Sequence, residues 1–342
     1  MNRKGSAVIP DNGDFLITVI VVNWNGKRFL GDCLGALRRQ DVPGVRILLV
    51  DNGSEDGSVE FVEQAFPDVE ILPFRRNLGF AEGNNRALER VGTEYVALLN
   101  NDAIPHPSWL KNLIRALERH PRAGFAASKM LFRDRPTVID RAGDGYTTAG
   151  SGWLRGRGED AGCFGEEEWV FGACAGAALY RSAMLENIGF FDNDFFILYE
   201  DVDLSFRAQL RGYGCIYVPD AVVFHGTSAS IVRDSPVSVY YGHRNIEWVY
   251  LKNMPAALIF RTIHLHLFYG IGSLLFFTLR GRGLTFLRAK FDALRGFPKM
   301  LNKRKQIQKK RILTNRQIRG LFREESVRRL CRSRGATRIA AF

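Results

Sequence analysis

The sequence predicts an α/β fold: a mostly parallel open sheet flanked by helices, with further helices at the C-terminal end. Three observations predict it. Short apolar, β-branched runs recur along the first hundred residues, amphipathic segments alternate with them, and a polar cluster follows the runs at the same place. Runs that are apolar throughout mark strands buried on both faces of a parallel sheet. Their alternation with helices at this spacing implies right-handed βαβ units.

Residues 15–22 (FLITVIVV) form the first expected strand, broken by Asn23-Trp24-Asn25-Gly26. Residues 28–39 are amphipathic and predict a helix. The second strand covers 45–50 (VRILLV) and ends at Asp51. A helix over 58–65 and a short strand over 69–72 follow. Asn77-Leu78-Gly79-Phe80 opens a helix reaching Glu89, and 95–99 is a further buried strand ending at Asn100-Asn101-Asp102. Residues 133–165, rich in Gly, Arg and Asp, predict loops and short strands that can form a flap. Within 169–180 the small residues, Gly176 among them, fit either close approach of a sugar or close backbone packing. A helix is expected over 181–188. Glu200-Asp201-Val202-Asp203 precedes an amphipathic helix to Arg211, with Gly212 where a C-cap glycine belongs. Two short strands, 215–218 and 221–224, lead to His225. Ligands of such sheets bind beyond the carboxyl ends of the strands, where Asn23, Asp51 and Asp102 stand. A single Asp there is usually a turn former. Three polar ends in succession read as a Rossmann-like nucleotide site.

The chain has 342 residues, 46% of them hydrophobic and 25% charged, an ordinary globular composition with a real core. Its five cysteines are scattered without a C-x-x-C pair, which speaks against a disulfide framework or zinc site and fits a reducing compartment. No apolar stretch precedes Asp11, so no secretory signal is expected. The net charge of +12 is uneven: residues 299–342 hold 15 Lys and Arg against 2 Asp and Glu, and the preceding 298 hold 33 against 34. A basic end suits anionic lipid, nucleic acid, or a solvated disordered terminus. A non-enzymatic nucleic-acid binder would account for that end but not for the strand-end carboxylates. A sugar nucleotidyltransferase would open on a Gly-rich phosphate loop, whereas the first strand here ends in Asn23-Trp24-Asn25-Gly26.

Seven segments carry a resemblance over residues 17–255. In order they are VVNWNG (21–26), VDNGSEDGS (50–58), NLGFAEGNN (77–85), LLNNDA (98–103), GAALYR (176–181), GFFDNDFFILYEDVDLSFRAQLRGY (189–213) and FHGTSAS (224–230). Each is weak alone, but the ordered set resembles the family 2 glycosyltransferases and their rhamnosyltransferase-like branch. The resemblance implies a GT-A type sheet, with the nucleotide-sugar half at about 15–130 and the acceptor half at about 131–255. It implies a donor linked to UDP or dTDP, with dTDP-rhamnose foremost, and a glycan or lipid-linked glycan acceptor. Asp51 can accept from a uracil or thymine ring N–H, and backbone groups near Val22 and Asn23 can fix the same base. Asn77 and Gly79 match the segment that lines the nucleotide, although Gly79 also suits a helix start.

The family's metal motif is commonly Asp-x-Asp, and here it is Asn100-Asn101-Asp102. Asp102 is then the expected ligand of Mg²⁺ or Mn²⁺, which stabilises the charge that grows on a diphosphate leaving group. Asn100 and Asn101 are left to contact the nucleotide-sugar. His225 matches a position that completes the metal or diphosphate site, although a histidine after a strand is as often structural. Inverting transfer needs a carboxylate to take the acceptor proton. The family's Glu-Asp pair assigns that base to Asp201, with Glu200 orienting the acceptor and Asp203 and Gly176 on the acceptor side. All three carboxylates also suit a helix N-terminus. Arg244 is expected to face the diphosphate or to lie on the surface.

Residues 256–298 predict C-terminal apolar and amphipathic helices. Segment 262–279 is borderline for a membrane span and fits a helix packed on the body or lying shallowly in a membrane. On the 283–297 helix Leu284, Leu287, Phe291 and Leu294 share one face, the pattern of an interfacial basic helix or of packing on the body. The 299–342 tail would add attraction to anionic headgroups. The location this implies is cytoplasmic, peripheral on the inner membrane face.

Overall fold

A computed structural model describes residues 16–226 and 234–322. The nucleotide-side half runs β1 (Ile17–Asn23), α1 (Lys27–Leu37), β2 (Val45–Asp51), α2 (Ser58–Ala65), β3 (Glu70–Pro73), α3 (Gly79–Leu88), β4 (Tyr95–Asn100), β5 (Ala103–Pro105), α4 (Trp109–Arg119) and β6 (Ala123–Phe132). The other half runs β7 (Arg135–Ala142), β8 (Asp144–Tyr146), β9 (Gly152–Leu154), β10 (Glu168–Val170), β11 (Ala177–Arg181), α5 (Ser182–Ile188), α6 (Glu200–Leu210) and β12 (Gly214–His225). Five helices close the described chain: α7 (Pro236–Asn253), α8 (Ala256–Leu279), α9 (Gly283–Arg295), α10 (Phe297–Lys309) and α11 (Asn315–Leu321).

The ten-stranded sheet has the order β10-β12-β6-β11-β4-β1-β2-β3, with β5 on β12 and β7 on β6. β3, β2, β1 and β4 are parallel to one another, as the apolar runs require. β11 enters antiparallel between β4 and β6, and β12 lies parallel to β6. Alternate residues of β1 and β4 face opposite layers. Val19, Val21, Ala97 and Leu99 join one buried cluster with α1 and α4, and Ile20, Val96 and Leu98 join the other. Each fully buried Val or Leu contributes ~1.5–3 kcal/mol. Register then sets the site: Asn23 lies beside Asp51, Val22 beside Asn100, and His225 beside Ala103.

Three expectations are revised. The two short strands 215–218 and 221–224 are one strand, β12, bulged between Val218 and Val222, where Pro219 has no N–H to donate. The 299–342 segment is not a tail throughout. Residues up to 322 fold as α10 and α11, because Met300, Ile318 and Phe322 punctuate the basic run and are buried in a cluster with Trp248, Tyr250 and Met254. Residues 323–342 lie outside the described residues, as do 1–15 and the 227–230 end of FHGTSAS. Lastly, Cys33, Cys174 and Cys215 are free, but Cys163 is disulfide-bonded, which the scattered spacing does not announce.

Candidate active site

The strand ends carry a hydrogen-bonded polar belt. Asn23 Nδ2 donates to Asp51 Oδ1 (3.1 Å) and to Ser54 Oγ (3.2 Å), and Asn23 Oδ1 accepts from Asn101 Nδ2 (2.8 Å). Asp51 Oδ2 accepts from the Ser54 backbone N–H (2.9 Å). Gly26 makes room for the belt, since a Cβ there would lie 2.2 Å from Asn101 Nδ2. Several residues expected at the nucleotide are thus also engaged within the protein. Both Asn23 Nδ2 hydrogens are used, one lone pair of its Oδ1 remains, and its backbone carbonyl accepts from Asn52 N–H. Asn101 holds Asn23. Val22 is paired in the ladders on both sides. Asp51 keeps unused lone pairs on both oxygens, so it can still accept from a base.

Asp102, Asn100 and His225 converge one step along the sheet. His225 Nε2 lies 3.3 Å from Asp102 Oδ1 and 3.1 Å from the Asn100 amide, and its Nδ1 lies 2.8 Å from Asp140 Oδ2. Burial works against a charged imidazole, but the hydrogen bonds it donates to Asp102 and Asp140 outweigh burial and lift His225 to about 9. The ring is thus Asp102's partner before it is anything else. Asp102 and the Asn100 amide oxygen fit a cation completed by diphosphate oxygens and water, which His225 could join only after giving up its proton. Among the described residues no three His, Cys, Asp or Glu side chains form a ready-made cage.

The acceptor half supplies a second carboxylate group. Glu200 and Asp201 open α6 behind Tyr199, which has a left-handed φ of 69°. Asp201 Oδ2 accepts from Ala175 N–H (3.3 Å), and Oδ1 accepts from Val202 N–H (2.8 Å). Glu200 is buried with Oε2 unpartnered, and burial together with the charge of Asp201 holds its carboxyl well above the usual range. Sequence reasoning missed the neighbouring pair Arg141 and Asp144, in which Arg141 Nη1 lies 3.1 Å from both Asp144 oxygens. Burial raises Asp144, Arg141 opposes the rise, and the charge of Asp201 adds to it, leaving it at about 6. The local signal was an Arg and an Asp three apart in a stretch read as loops. What brings Asp144 inward is its backbone pairing with Gly172, at a separation no local pattern reports.

The two halves meet in one turn. Asn100 N–H donates to the Gly176 carbonyl (2.9 Å), while the preceding residue, Ala175, donates to Asp201. Gly176 is needed for packing, because a Cβ there would sit 2.8 Å from Asn100 Nδ2.

Four further residues have partners that the sequence did not announce. Asp203 is fully buried, bound by Arg207 Nε (2.8 Å), Lys252 Nζ (2.8 Å) and Asn253 Nδ2 (2.7 Å), and cannot meet an acceptor. The 3.6-residue period turns it inward, away from Asp201. Arg244 does not face the diphosphate: it donates to the carbonyls of Asp194 (2.8 Å) and Phe195 (3.0 Å), with its guanidinium over Trp248. Gly79 (φ 86°) abuts Phe196, whose carbonyl accepts from Phe80 and Ala81 N–H, so it docks the acceptor-side loop. Asn77 forms the turn by accepting from Gly79 N–H (2.8 Å). That loop carries left-handed φ at Phe196, Leu198 and Tyr199, a strain of order 1–3 kcal/mol each that the surroundings must hold. Asn245 holds it by donating to the carbonyls of Phe195, Ile197 and Leu198.

Residues 18–189 match the sequence profile of Glycosyl transferase family 2. The chain is 29% identical over 269 residues to the N-acetylglucosaminyl-diphospho-decaprenol L-rhamnosyltransferase of Mycobacterium tuberculosis, covering 70% of this chain and 84% of that one. Two solved structures share the fold. S. aureus TarS 1–349 in complex with UDP-GlcNAc matches with a TM-score of 0.56 at 17% identity, over 89% of each chain. The mannosyltransferase PcManGT of Pyrobaculum calidifontis, in complex with GDP-Man and Mn²⁺, matches with a TM-score of 0.53 at 17% identity, over 89% of this chain and 88% of that one.

Proposed function

We propose, from the premise that the chain belongs to glycosyl transferase family 2, that it is an inverting enzyme moving a sugar from a dTDP- or UDP-linked donor to a glycan or lipid-linked glycan. Rhamnose from dTDP-rhamnose is the leading donor, supported by the activity named for the 29% identical relative. Family membership sets aside both the nucleotidyltransferase and the nucleic-acid-binding readings.

The observation that carries the mechanism is the turn through Ala175 and Gly176, which ties Asn100, two residues before Asp102, to Asp201. On this reading Asp51 receives the base N–H through its free lone pairs. Asp102, with His225 and Asn100 beside it, would hold a Mg²⁺ or Mn²⁺ ion, which would supply positive charge to the departing diphosphate. Asp201 takes the proton of the acceptor hydroxyl as the acceptor oxygen bonds to the sugar's anomeric carbon. The bond from that carbon to the diphosphate breaks, and the nucleoside diphosphate leaves. Glu200, whose carboxyl burial and the charge of Asp201 hold well above the usual range, would orient the acceptor beside Asp201. The enzyme would work in the cytoplasm, at the membrane face where a lipid-linked acceptor is available.

The test is a thermal-shift panel of nucleotide sugars with Mg²⁺ or Mn²⁺, followed by transfer assays. A ligand that binds only the native state raises the midpoint. Stabilisation by dTDP-rhamnose above all others is expected. No stabilisation by any dTDP or UDP sugar, with a response to purine sugar nucleotides instead, overturns the donor assignment.

A further inference from the structure

The largest feature that the chemistry leaves unused is on the outside of α8 and α9. On α8, Phe260, Phe268, Ile271, Leu275 and Leu279 follow the three-and-four spacing of one helical face, and all are exposed, Phe268 at 70% and Leu279 at 80%. That stripe is about 29 Å long at the α-helical rise. On α9 the apolar face formed by Leu284, Leu287, Phe291 and Leu294 is not packed on the body. Leu284 is 85% exposed and Phe291 58%, while Phe286, Ala289 and Ala293 make the inward contacts. A soluble surface rarely leaves a continuous apolar patch of this kind without a partner.

The charge around the face identifies the partner. Between Ala256 and Phe322 there are fifteen Lys and Arg and a single acidic residue, Asp292. Arg261, Arg288 and Arg295 are exposed beside the stripes, and the Arg295 guanidinium lies over the Phe291 ring, its apolar stem along the same face. A second copy of this chain would bring the same positive rim against itself. An anionic bilayer meets both properties at once, with acyl chains for the stripes and headgroups for the arginines.

We infer that the outer face of the α8–α9 hairpin seats the enzyme on an anionic lipid surface, with both helices lying in the interface. The inner side of α8 adds a consequence. His266 Nδ1 lies 2.7 Å from the Ala149 carbonyl, in the turn of the β8–β9 hairpin whose first residue is Asp144. Seating would hold that turn about one helix diameter, ~10 Å, from the lipid, with the acceptor-side carboxylates behind it. The inference stands on the surface and not on the choice of acceptor.

The experiment is flotation of the full chain with vesicles of phosphatidylcholine alone or of equimolar phosphatidylcholine and phosphatidylglycerol, at low and high salt. Two variants are compared, F268E with L275E and R288E with R295E, all at exposed positions. Unchanged melting midpoints and unchanged transfer to a soluble acceptor show that the fold and site persist. The wild type is expected to float on the anionic vesicles with a salt-resistant fraction. The apolar variant should lose that fraction, and the charge variant should partition about tenfold less at low salt. Three results overturn the inference: variants that float like the wild type, a wild type that floats on neither vesicle and is a dimer dispersed by the same substitutions, or cell-membrane association that resists alkaline carbonate and needs detergent. The last would make α8 a span, for which its length and apolarity suffice. Loss of sugar transfer with flotation intact would instead refute the proposed function and leave the docking face standing.

Discussion

On the side of the cleft built from β1, β2 and β4, positions are set by sheet register and short side-chain bonds among near neighbours. Asn23, Asp51, Ser54 and Asn101 form a closed belt on unstrained strand ends. On the other side, Asp201 follows a strained loop held from a distance: Asn245 and Arg244 grip its carbonyls from α7, and Lys252, Lys299 and Lys303 reach Asp192 and Asp194 from α7 and α10. The difference separates two tasks. The nucleotide side is preformed by local structure, whereas the acceptor side depends on C-terminal helices that contribute no reacting group. Cutting the chain after the catalytic body would therefore remove supports of the loop as well as the lipid-facing surface.

The sharpest test of this contrast is D201N, which keeps shape and removes basicity. Turnover should fall by ~10²–10⁴-fold with the donor-induced thermal shift unchanged. Near wild-type turnover would show that the base lies elsewhere. D102A should act on the opposite side, lowering turnover on the order of 10²-fold and weakening the metal-dependent part of donor binding. Full activity of the wild type after thorough chelation would refute the metal role.

A tether among the C-terminal helices themselves should show in stability: Glu247 on α7 meets His266 on α8 and Lys290 on α9. Burial alone would raise Glu247, but His266 and Lys290 outweigh it and depress it to about 2. A depressed carboxylate contributes stability that is present above its ordinary value of 4.5 and lost as pH falls through about 2. The shift corresponds to about 3 kcal/mol. E247Q should flatten the acid limb of the stability profile between those limits, and an unaltered limb in chemical denaturation would remove the tether from the account. The smallest effect is expected for N245A, about 2 kcal/mol from lost bonds to three loop carbonyls. Its signature is selective, with acceptor KM rising while the donor midpoint shift is retained. Equal losses on both sides would erase the contrast drawn here.

The nucleotide half was legible because β1, β2 and β4 are apolar through their length and end in Asn or Asp, so that sequence and register carry the same information. Motif order points to Asp102 and Asp201, whose neighbourhoods the turn through Ala175 and Gly176 ties together; their roles remain proposals. The direction of Asp203 was not legible, because a run of acids at a helix start does not say which member turns inward. Gly79 resembles a nucleotide-lining segment or a helix start, and Arg244 suits the diphosphate or the surface; both in fact contact one loop, which lies more than a hundred residues from Gly79. On α9 the conspicuous leucines and phenylalanine mark a face but not its occupant. The inward contacts rest partly on Ala289 and Ala293, which let helices approach closely and leave little trace in an apolar pattern. The basic run after 299 hid two helices because three well-spaced apolar residues suffice to bury them.

Phe196 couples the two sides of the cleft. Its carbonyl closes the first turn of α3, and its ring fills the space that a side chain at Gly79 would need. The helix opened by the nucleotide-side motif and the loop ahead of Asp201 therefore share one contact and cannot move independently. If donor binding shifts α3 at all, the loop must follow, and the free-energy coupling runs equally in reverse. Donor and acceptor binding would then alter each other's affinity by one common factor, carried by that carbonyl and ring.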